Sequence, residues 1–470
     1  MAFPADYTLP LDQLPDPLPI VPLSRPFDVT ITPPGSKSIT NRAYVLAALA
    51  KGESRIIRPL RSDDTDGLLQ ALCTLGANAT WAPGETGDGS EDVLMTGVGG
   101  RFPRGGTVNL GDGGTPTRFM IACACLAAEP VVVDGSKRMR ERPIAEGVQM
   151  LRQLGADIEY IEQEGRLPVR VTPSEKFRGG ELTVGKTASS QFVSAVMLIA
   201  SCLESGVTLH LGSEPTSGVY VALTCRVMSD WGSAVLDQFI QVSPSERWLP
   251  ESLRLEHAPI EGHRYVVDLD ASSAIYFLLA GALCPGSNLF IPINPYSAQP
   301  DLMVVEHVRA PGCRLESTHL GLEKAQEMDA TDDAVDASYF PDGAMALAIA
   351  SSLDCGPRTL TGLHTLRVKE TDRIAALANE LRKVGCEVET TEDSITIHPI
   401  PPERLRLLDT HGRDACATAD PIIIETYNDH RMAMAFAVLG LRVPGIQIRN
   451  PACVRKSYPG FWGDFARLYQ

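Results

Sequence analysis

No stretch of this 470-residue sequence approaches the ~18 consecutive apolar residues that a membrane-spanning helix needs. Positive charge is also scarce. Forty-two Lys and Arg stand against 58 Asp and Glu, giving a formal charge of −16 and a pI near 5.1. That balance argues against bulk binding to nucleic acid or an anionic membrane, though a local anion site remains open because nearby charge outweighs the total. The 11 cysteines form no C-x-x-C pair and are read as reduced thiols of a cytoplasmic protein. The nine histidines form no H-E-x-x-H, so neither a metal nor a cofactor is expected. Residues 1–25 are proline-rich and acidic, without a basic n-region or an arginine-rich amphipathic pattern. Secretion and organelle import are therefore disfavoured, and the segment is expected to drape over the fold. Two nucleotide signatures fail as well. Gly111, Gly113 and Gly114 are followed by Pro116 where a dinucleotide fingerprint needs glycine, and Lys37 lacks the glycines of a phosphate-binding P-loop.

What is present begins with residues 36–50, which read as a helix. Gly35 and two prolines lead in, and Gly52 lies just beyond. Ile39, Ala43, Leu46, Ala47 and Ala50 recur at helical spacing, and Tyr44, Val45, Ala48 and Leu49 make the other faces apolar, as in an interior helix. Its polar head, with Lys37, Ser38, Asn41 and Arg42, puts cations, a hydroxyl and unpaired N–H groups at one end, an arrangement suited to phosphate.

The construction recurs. Polar clusters head apolar runs near Lys37, Thr115, Ser189, Asp270, Asp342 and Asp429, at intervals of about 72–87 residues, the mark of stacked or fused units. Polar helices close on Gly76, Gly155, Gly232, Gly312 and Gly385, each followed by a strand-like run. A chain this long is expected to form two or more domains of mixed α/β class.

Several heads admit two readings. Arg138, Arg140 and Arg142 form either a solvated turn or part of a site, and Ser189 and Ser190 serve as caps or ligands beside Gln191. Asp342, at a helix start, is ordinarily a cap; as a carboxylate alone among cationic heads it is also a candidate base. In 367–373, Lys369 and Arg373 lie four apart and are placed on one helical face, with Glu370 and Asp372 turned elsewhere; surface ion pairing is the competing explanation.

Taken in order, residues 34–42 (PGSKSITNR), 138–144 (RMRERPI), 189–192 (SSQF), 341–345 (PDGAM), 367–373 (RVKETDR) and 427–434 (YNDHRMAM) resemble the 5-enolpyruvylshikimate-3-phosphate synthase family over nearly the full length. The resemblance implies an inside-out α/β barrel of two lobes, each made of three βαβαββ units around buried parallel helices. One lobe would comprise 35–267 and the other 1–34 with 268–470, with helix N-termini from both facing an anionic cleft. It implies transfer of the enolpyruvyl group of phosphoenolpyruvate to the 5-hydroxyl of shikimate 3-phosphate, in the pathway to chorismate and aromatic amino acids, by a monomer.

Carried over by position, Lys37, Ser38, Arg42, Ser189, Ser190, Gln191, Ser217, Asp342, Thr365 and Lys369 would hold shikimate 3-phosphate. Lys37, Gly114, Arg142, Gln191, Arg373, Arg431 and Lys456 would surround phosphoenolpyruvate. Asp342 would take the hydroxyl proton, Lys37 and Glu370 would handle the methylene proton, and Lys456 would assist the leaving phosphate. The chain departs from the family pattern at Thr365, where Asn is usual, at Asp268, and at Pro116 and Phe119. Two alternatives stand beside this reading. A UDP-N-acetylglucosamine enolpyruvyl transferase typically offers a reactive loop cysteine, whereas here Cys123 and Cys125 fall in an apolar helix. A non-catalytic sugar-phosphate binder would leave Asp342 and Glu370 without a purpose.

Overall fold

The computed structural model describes residues 5–87, 89–185, 187–211, 218–233, 235–241, 248–294, 297–308, 333–401 and 420–470. The chain forms two units: an inserted unit, Gly35–Asp268, and a flanking unit made of Met1–Pro34 and Leu269–Gln470. Asp268, which the sequence reading put in the flanking lobe, falls in the inserted unit, where its carbonyl accepts the Ser36 N–H at 2.8 Å. Each unit has its own apolar core. Among the described residues no helix is long and apolar enough to cross a membrane.

The six apolar runs are interior helices: Lys37–Leu49, Gly114–Ala124 and Gln191–Ala200 in the inserted unit, and Ala271–Leu283, Ala344–Ser352 and His430–Gly440 in the flanking unit. In the first, every residue from Ile39 to Leu49 is buried. Each fully buried Leu or Ile there contributes ~1.5–3 kcal/mol, and truncating Leu46 to Ala would cost ~2–5 kcal/mol. The intervening helices are amphipathic. In Asp63–Leu75, Leu68, Leu69, Leu72 and Leu75 line the buried side, following the three-and-four spacing of a helix. Ser62 and Thr65 form a capping box at its start. It ends at Gly76 with φ +127°, a conformation that glycine alone takes without strain; Gly155, Gly232 and Gly385 are also at positive φ, while Gly312 lies outside the described residues.

One topology repeats. Gly106–Asn109 runs parallel to Val131–Asp134, which pairs antiparallel with Val169–Thr172, itself antiparallel to Asp157–Tyr160. The same order appears in Gly180–Val184, Val207–Leu211, Trp248–Leu255 and Val235–Gln241, and in Ala334–Asp336, Arg358–Thr361, Ile395–Ile397 and Val388–Thr390. Parallel neighbours need a long crossover, and in each case an interior helix supplies it. At the chain crossings the first strand is exchanged. Asp28–Thr30, which precedes the Lys37 helix, pairs with Asn288–Phe290 of the flanking unit, and Arg264–Val266 takes its place beside Glu53–Ile57. In the sixth repeat Ile422–Ile424 lies parallel to Ile446–Ile448, and Leu18–Pro19 from the N-terminal segment adds antiparallel to the latter.

The N-terminal segment is built into the flanking core. Tyr7, Leu14, Leu18 and Ile20 are buried there. The Tyr7 ring packs against Trp462, Phe465 and Tyr469, while its hydroxyl donates to the Pro19 carbonyl and accepts the Val21 N–H, both at 3.0 Å.

Candidate functional site

In the inserted unit the interior helices begin at Ser36, Gly113 and Ser190, none of which makes a side-chain capping bond. At Ser36 and Gly113 the first-turn N–H groups are thus not neutralised by a cap side chain, which suits an anion. The serines at 189–190 do not act as a simple cap pair: Ser189 Oγ accepts the Gln191 N–H at 3.3 Å, and Ser190 is buried without a cap bond. Lys37 Nζ lies 3.5 Å from the buried Asp64 carboxylate. Arg42 is 2% exposed, and its guanidinium donates to neutral oxygens of Thr224, Ser38, Ser194 and Tyr220. Burial lowers its pKa to about 10, so it stays a cation at neutral pH.

Gly114 and Arg142 fit each other. A Cβ at Gly114 would sit 2.5 Å from Arg142 Nη1, so only glycine lets this buried guanidinium lie across the helix start. Of the three arginines ahead of that point, Arg138 pairs with Glu141 and Arg140 with Asp134 and Glu162 near solvent, as a solvated turn would; Arg142 alone is buried. Pro116 is the third helical residue, within the turn whose N–H groups lack intrahelical partners. Arg118, absent from the sequence-derived set, is 3% exposed and joins three of its stretches. It donates to Gln191 Oε1 at 2.8 Å, to the Gly114 carbonyl at 3.1 Å and to the Pro143 carbonyl at 3.3 Å. With Oε1 so engaged, the Gln191 amide nitrogen remains as a donor for a ligand. An arginine one turn into an otherwise apolar interior helix was the available signal. Ser38 lies in the first turn of the Lys37 helix, and Ser217 falls outside the described residues.

In the flanking unit the candidates converge on a buried ion network. Asp342 is not a helix cap: Gly343 holds that position, and the Asp342 carboxylate instead accepts from Arg373 at 2.9 Å and Arg431 at 3.1 Å, with Lys369 at 3.5 Å. Nor is it a lone carboxylate. Arg373 also binds Glu370 at 2.9 Å and Asp429 at 2.7 Å, and Glu370 meets Lys456 at 3.1 Å. Glu370 therefore faces the cluster, while Asp372 pairs with Arg367 and caps the Arg373–Lys383 helix. Lys369 precedes that helix, so a shared helical face does not unite it with Arg373; a common carboxylate does. At 1% exposure Arg373 is not surface decoration.

Burial pushes the Asp342 carboxyl up, but Arg431, Lys369 and Arg373 together hold it well below the usual carboxylate range. Arg373 is driven the other way: burial opposes its charge, and Asp429, Glu370 and Asp342 more than restore it. Asp429, missed as a site residue, is fully buried and also accepts the Arg431 N–H at 2.9 Å. The two residues before it, Tyr427 and Asn428, have φ of +54° and +57°, a strained lead-in that turns the helix start into the cluster. Thr365 is buried, and its hydroxyl has no hydrogen-bond partner among the described residues.

The buried Cys123 and Cys125 thiols are pushed up by burial and stay protonated, unlike a reactive loop cysteine.

Residues 23–465 match the sequence model of EPSP synthase (3-phosphoshikimate 1-carboxyvinyltransferase). A 3-phosphoshikimate 1-carboxyvinyltransferase of Methanoculleus marisnigri is 37% identical, covering 93% of this chain and 96% of its own length. Another, from Serratia proteamaculans, is 36% identical over 94% and 96%. Among solved structures, an EPSP synthase from Acinetobacter baumannii superposes with a TM-score of 0.70 at 23% identity, over 96% of this chain and 97% of that one. An enolpyruvyl transferase from Streptomyces tendae gives 0.65 at 15% identity, over 96% and 97%, a likeness of fold. With residues 23–465 matching the family's sequence model and relatives above one-third identity covering more than nine-tenths of both chains, the chain belongs to the EPSP synthase family of transferases.

Proposed function

We propose that this protein transfers the enolpyruvyl group of phosphoenolpyruvate to the 5-hydroxyl of shikimate 3-phosphate and releases inorganic phosphate. The observation that carries the reading is the Asp342 carboxylate, ionised and held between Lys369, Arg373 and Arg431. Each substrate carries both a phosphate and a carboxylate, and guanidinium forks with open helix N-termini are suitable clamps for them. Lys37, Ser38, Arg42, Ser189, Ser190, Gln191 and Ser217 are assigned to shikimate 3-phosphate in the inserted unit. Gly114, Arg142, Gln191 and Lys37 are assigned to phosphoenolpyruvate. In the flanking unit Asp342, Thr365 and Lys369 serve the former substrate, and Arg373, Arg431 and Lys456 the latter.

In the proposed reaction Asp342 accepts the proton of the 5-hydroxyl as its oxygen attacks the enol carbon, while the methylene carbon gains a proton and becomes a methyl group. Loss of a proton from that methyl group expels phosphate from the tetrahedral intermediate and restores the double bond, with Lys37 and Glu370 handling these protons and Lys456 beside the departing phosphate. In the free protein Asp342 is a weak base, because its cations stabilise the anion. An anionic substrate that engages Lys369 and Arg431 draws them from the carboxylate and raises its proton affinity when the proton must be taken. The substrates supply all the reacting atoms and no redox change occurs. A monomer working in the cytoplasm completes the proposal.

The test is phosphate release with shikimate 3-phosphate and phosphoenolpyruvate together, with each omitted, and with UDP-N-acetylglucosamine as the alternative acceptor. Release is expected only with the first pair. Release with the nucleotide sugar instead, or none with the pair, refutes the assignment.

A further inference from the structure

The segment containing Gln299, Pro300 and Asp301 begins a 3-10 helix, Pro300–His307, that no reading of the sequence singled out. Gln299 and Asp301 are 6% and 1% exposed. Gln299 accepts the Ala271 N–H at 3.0 Å and donates to the Leu269 carbonyl at 2.7 Å, tying it to the start of the Ala271–Leu283 helix. Asp301 reaches two helix starts at once. One oxygen accepts the Ser272 hydroxyl, and the other accepts the Gly343 N–H at 2.9 Å, at the start of Ala344–Ser352. Contact at Gly343 is too close for a side chain: a Cβ there would lie 2.3 Å from Val304 Cγ2 and 3.3 Å from Asp301 Oδ1. Gly343 directly follows Asp342, so the peptide that Asp301 grips is the one joining the candidate base to its helix.

We propose that Asp301 is a positioning residue for Asp342, clamping the Gly343 N–H from a mount on Ser272 and so fixing the Asp342 carboxylate among Lys369, Arg373 and Arg431. The inference rests on the reading of Asp342 as proton acceptor and adds how its place is set. The three cations meet the carboxylate at its oxygens, whereas Asp301 holds the backbone that carries it. The backbone clamp gives it one place.

Phosphate release and thermal melting are compared for the wild type and for Asp301→Ala, Asp301→Asn, Ser272→Ala and Asp342→Asn. Asp301→Ala removes both acceptors, and kcat is expected to fall by about tenfold or more, with KM for each substrate within about threefold, because misplacement of a catalytic group by ~1 Å is costly. Asp301→Asn keeps a carbonyl oxygen for Gly343 and an amide donor for Ser272, and is expected to recover most of the lost turnover. Ser272→Ala frees the mount and is expected to lower kcat by about threefold, the scale of one hydrogen bond. Wild-type kcat in Asp301→Ala overturns the inference, as does an Asp301→Asn as slow as the alanine variant, since charge and not the clamp would then matter. Should Asp301→Ala fail to fold, wild-type kcat in Ser272→Ala overturns it. Wild-type turnover in Asp342→Asn overturns the reading beneath the inference; an inactive Asp342→Asn beside a fully active Asp301→Ala overturns the inference alone.

Discussion

Replacing Gly114 by alanine separates binding from stability. The new methyl carbon would stand 2.5 Å from Arg142 Nη1 and 2.8 Å from Cζ and Nη2, whereas ordinary contact begins near 3.4 Å. The guanidinium must therefore retreat by about 1 Å, a displacement that costs up to ~10²-fold when it affects a substrate-positioning group. Arg142 is only 5% exposed, so the guanidinium moves against packed neighbours rather than into solvent. Backbone strain is not involved, because Gly114 is not at positive φ and opens a helix, where alanine is favoured by up to ~1 kcal/mol. The expectation is a KM for phosphoenolpyruvate raised by about 10–100-fold, with kcat and KM for shikimate 3-phosphate within about threefold and a melting temperature unchanged or higher. Initial rates of phosphate release, with phosphoenolpyruvate varied at saturating shikimate 3-phosphate, provide the assay. A KM for phosphoenolpyruvate within about twofold of the wild type would refute the role given to Arg142.

Three other outcomes are expected. Arg373→Met leaves Asp342, Glu370 and Asp429 without their shared partner and is expected to cost ~3–5 kcal/mol in denaturant unfolding, the scale for breaking a buried ion pair; an unchanged midpoint would contradict it. Burial, reinforced by Asp342 and Asp270 and opposed by Arg431 and Ser272, pushes the Asp301 carboxyl from 3.8 up to about 6. A group with a raised folded-state pKa contributes stability below its unfolded pKa and loses it as pH rises through the folded one. Asp301→Asn, which cannot ionise, is therefore expected to gain on the wild type by on the order of 2–3 kcal/mol between pH ~4 and ~7, and equal offsets in melting temperature at both ends would count against this. Tyr7→Ala empties a ring-lined site beside Trp462, Phe465 and Tyr469 and is expected to cost ~3–5 kcal/mol of stability, read by thermal unfolding, with kcat at 25 °C near that of the wild type.

The interior helices could be read from the sequence because apolarity on every face is a local property: Tyr44 to Leu49 has no face that would tolerate water. The glycine stops at Gly76, Gly155, Gly232 and Gly385 were legible for the same reason, since a positive φ is needed where those helices end. Residues defined by distant partners were read less well. Asp342 looked like a cap because caps are local, whereas Arg373 and Arg431, the partners that reassign it, lie 31 and 89 positions away. Lys369 and Arg373 were joined by a helical spacing that does not exist, because the chain leaves a 3-10 turn at Val368 and the α-helix begins only at Arg373. Asp64, Asp301 and Asp429 were passed over because a buried carboxylate and a solvated one have the same sequence signature; only the tertiary fold decides which is dry.

The division of the flanking unit between two separate stretches of chain also bears on biosynthesis. The inserted unit is one continuous stretch, Gly35–Asp268, and can acquire its core as soon as that stretch has left the ribosome. The flanking unit cannot. Leu18–Pro19 emerges long before its partner Ile446–Ile448, and Tyr7 must wait for Trp462 and Phe465. Translation thus leaves an early tether bearing unsatisfied aromatic and aliphatic groups until the segment carrying Trp462 and Phe465 is made. A nascent chain stalled before residue 446 would hold one finished half and one half unable to close, with greasy surface offered to chaperones.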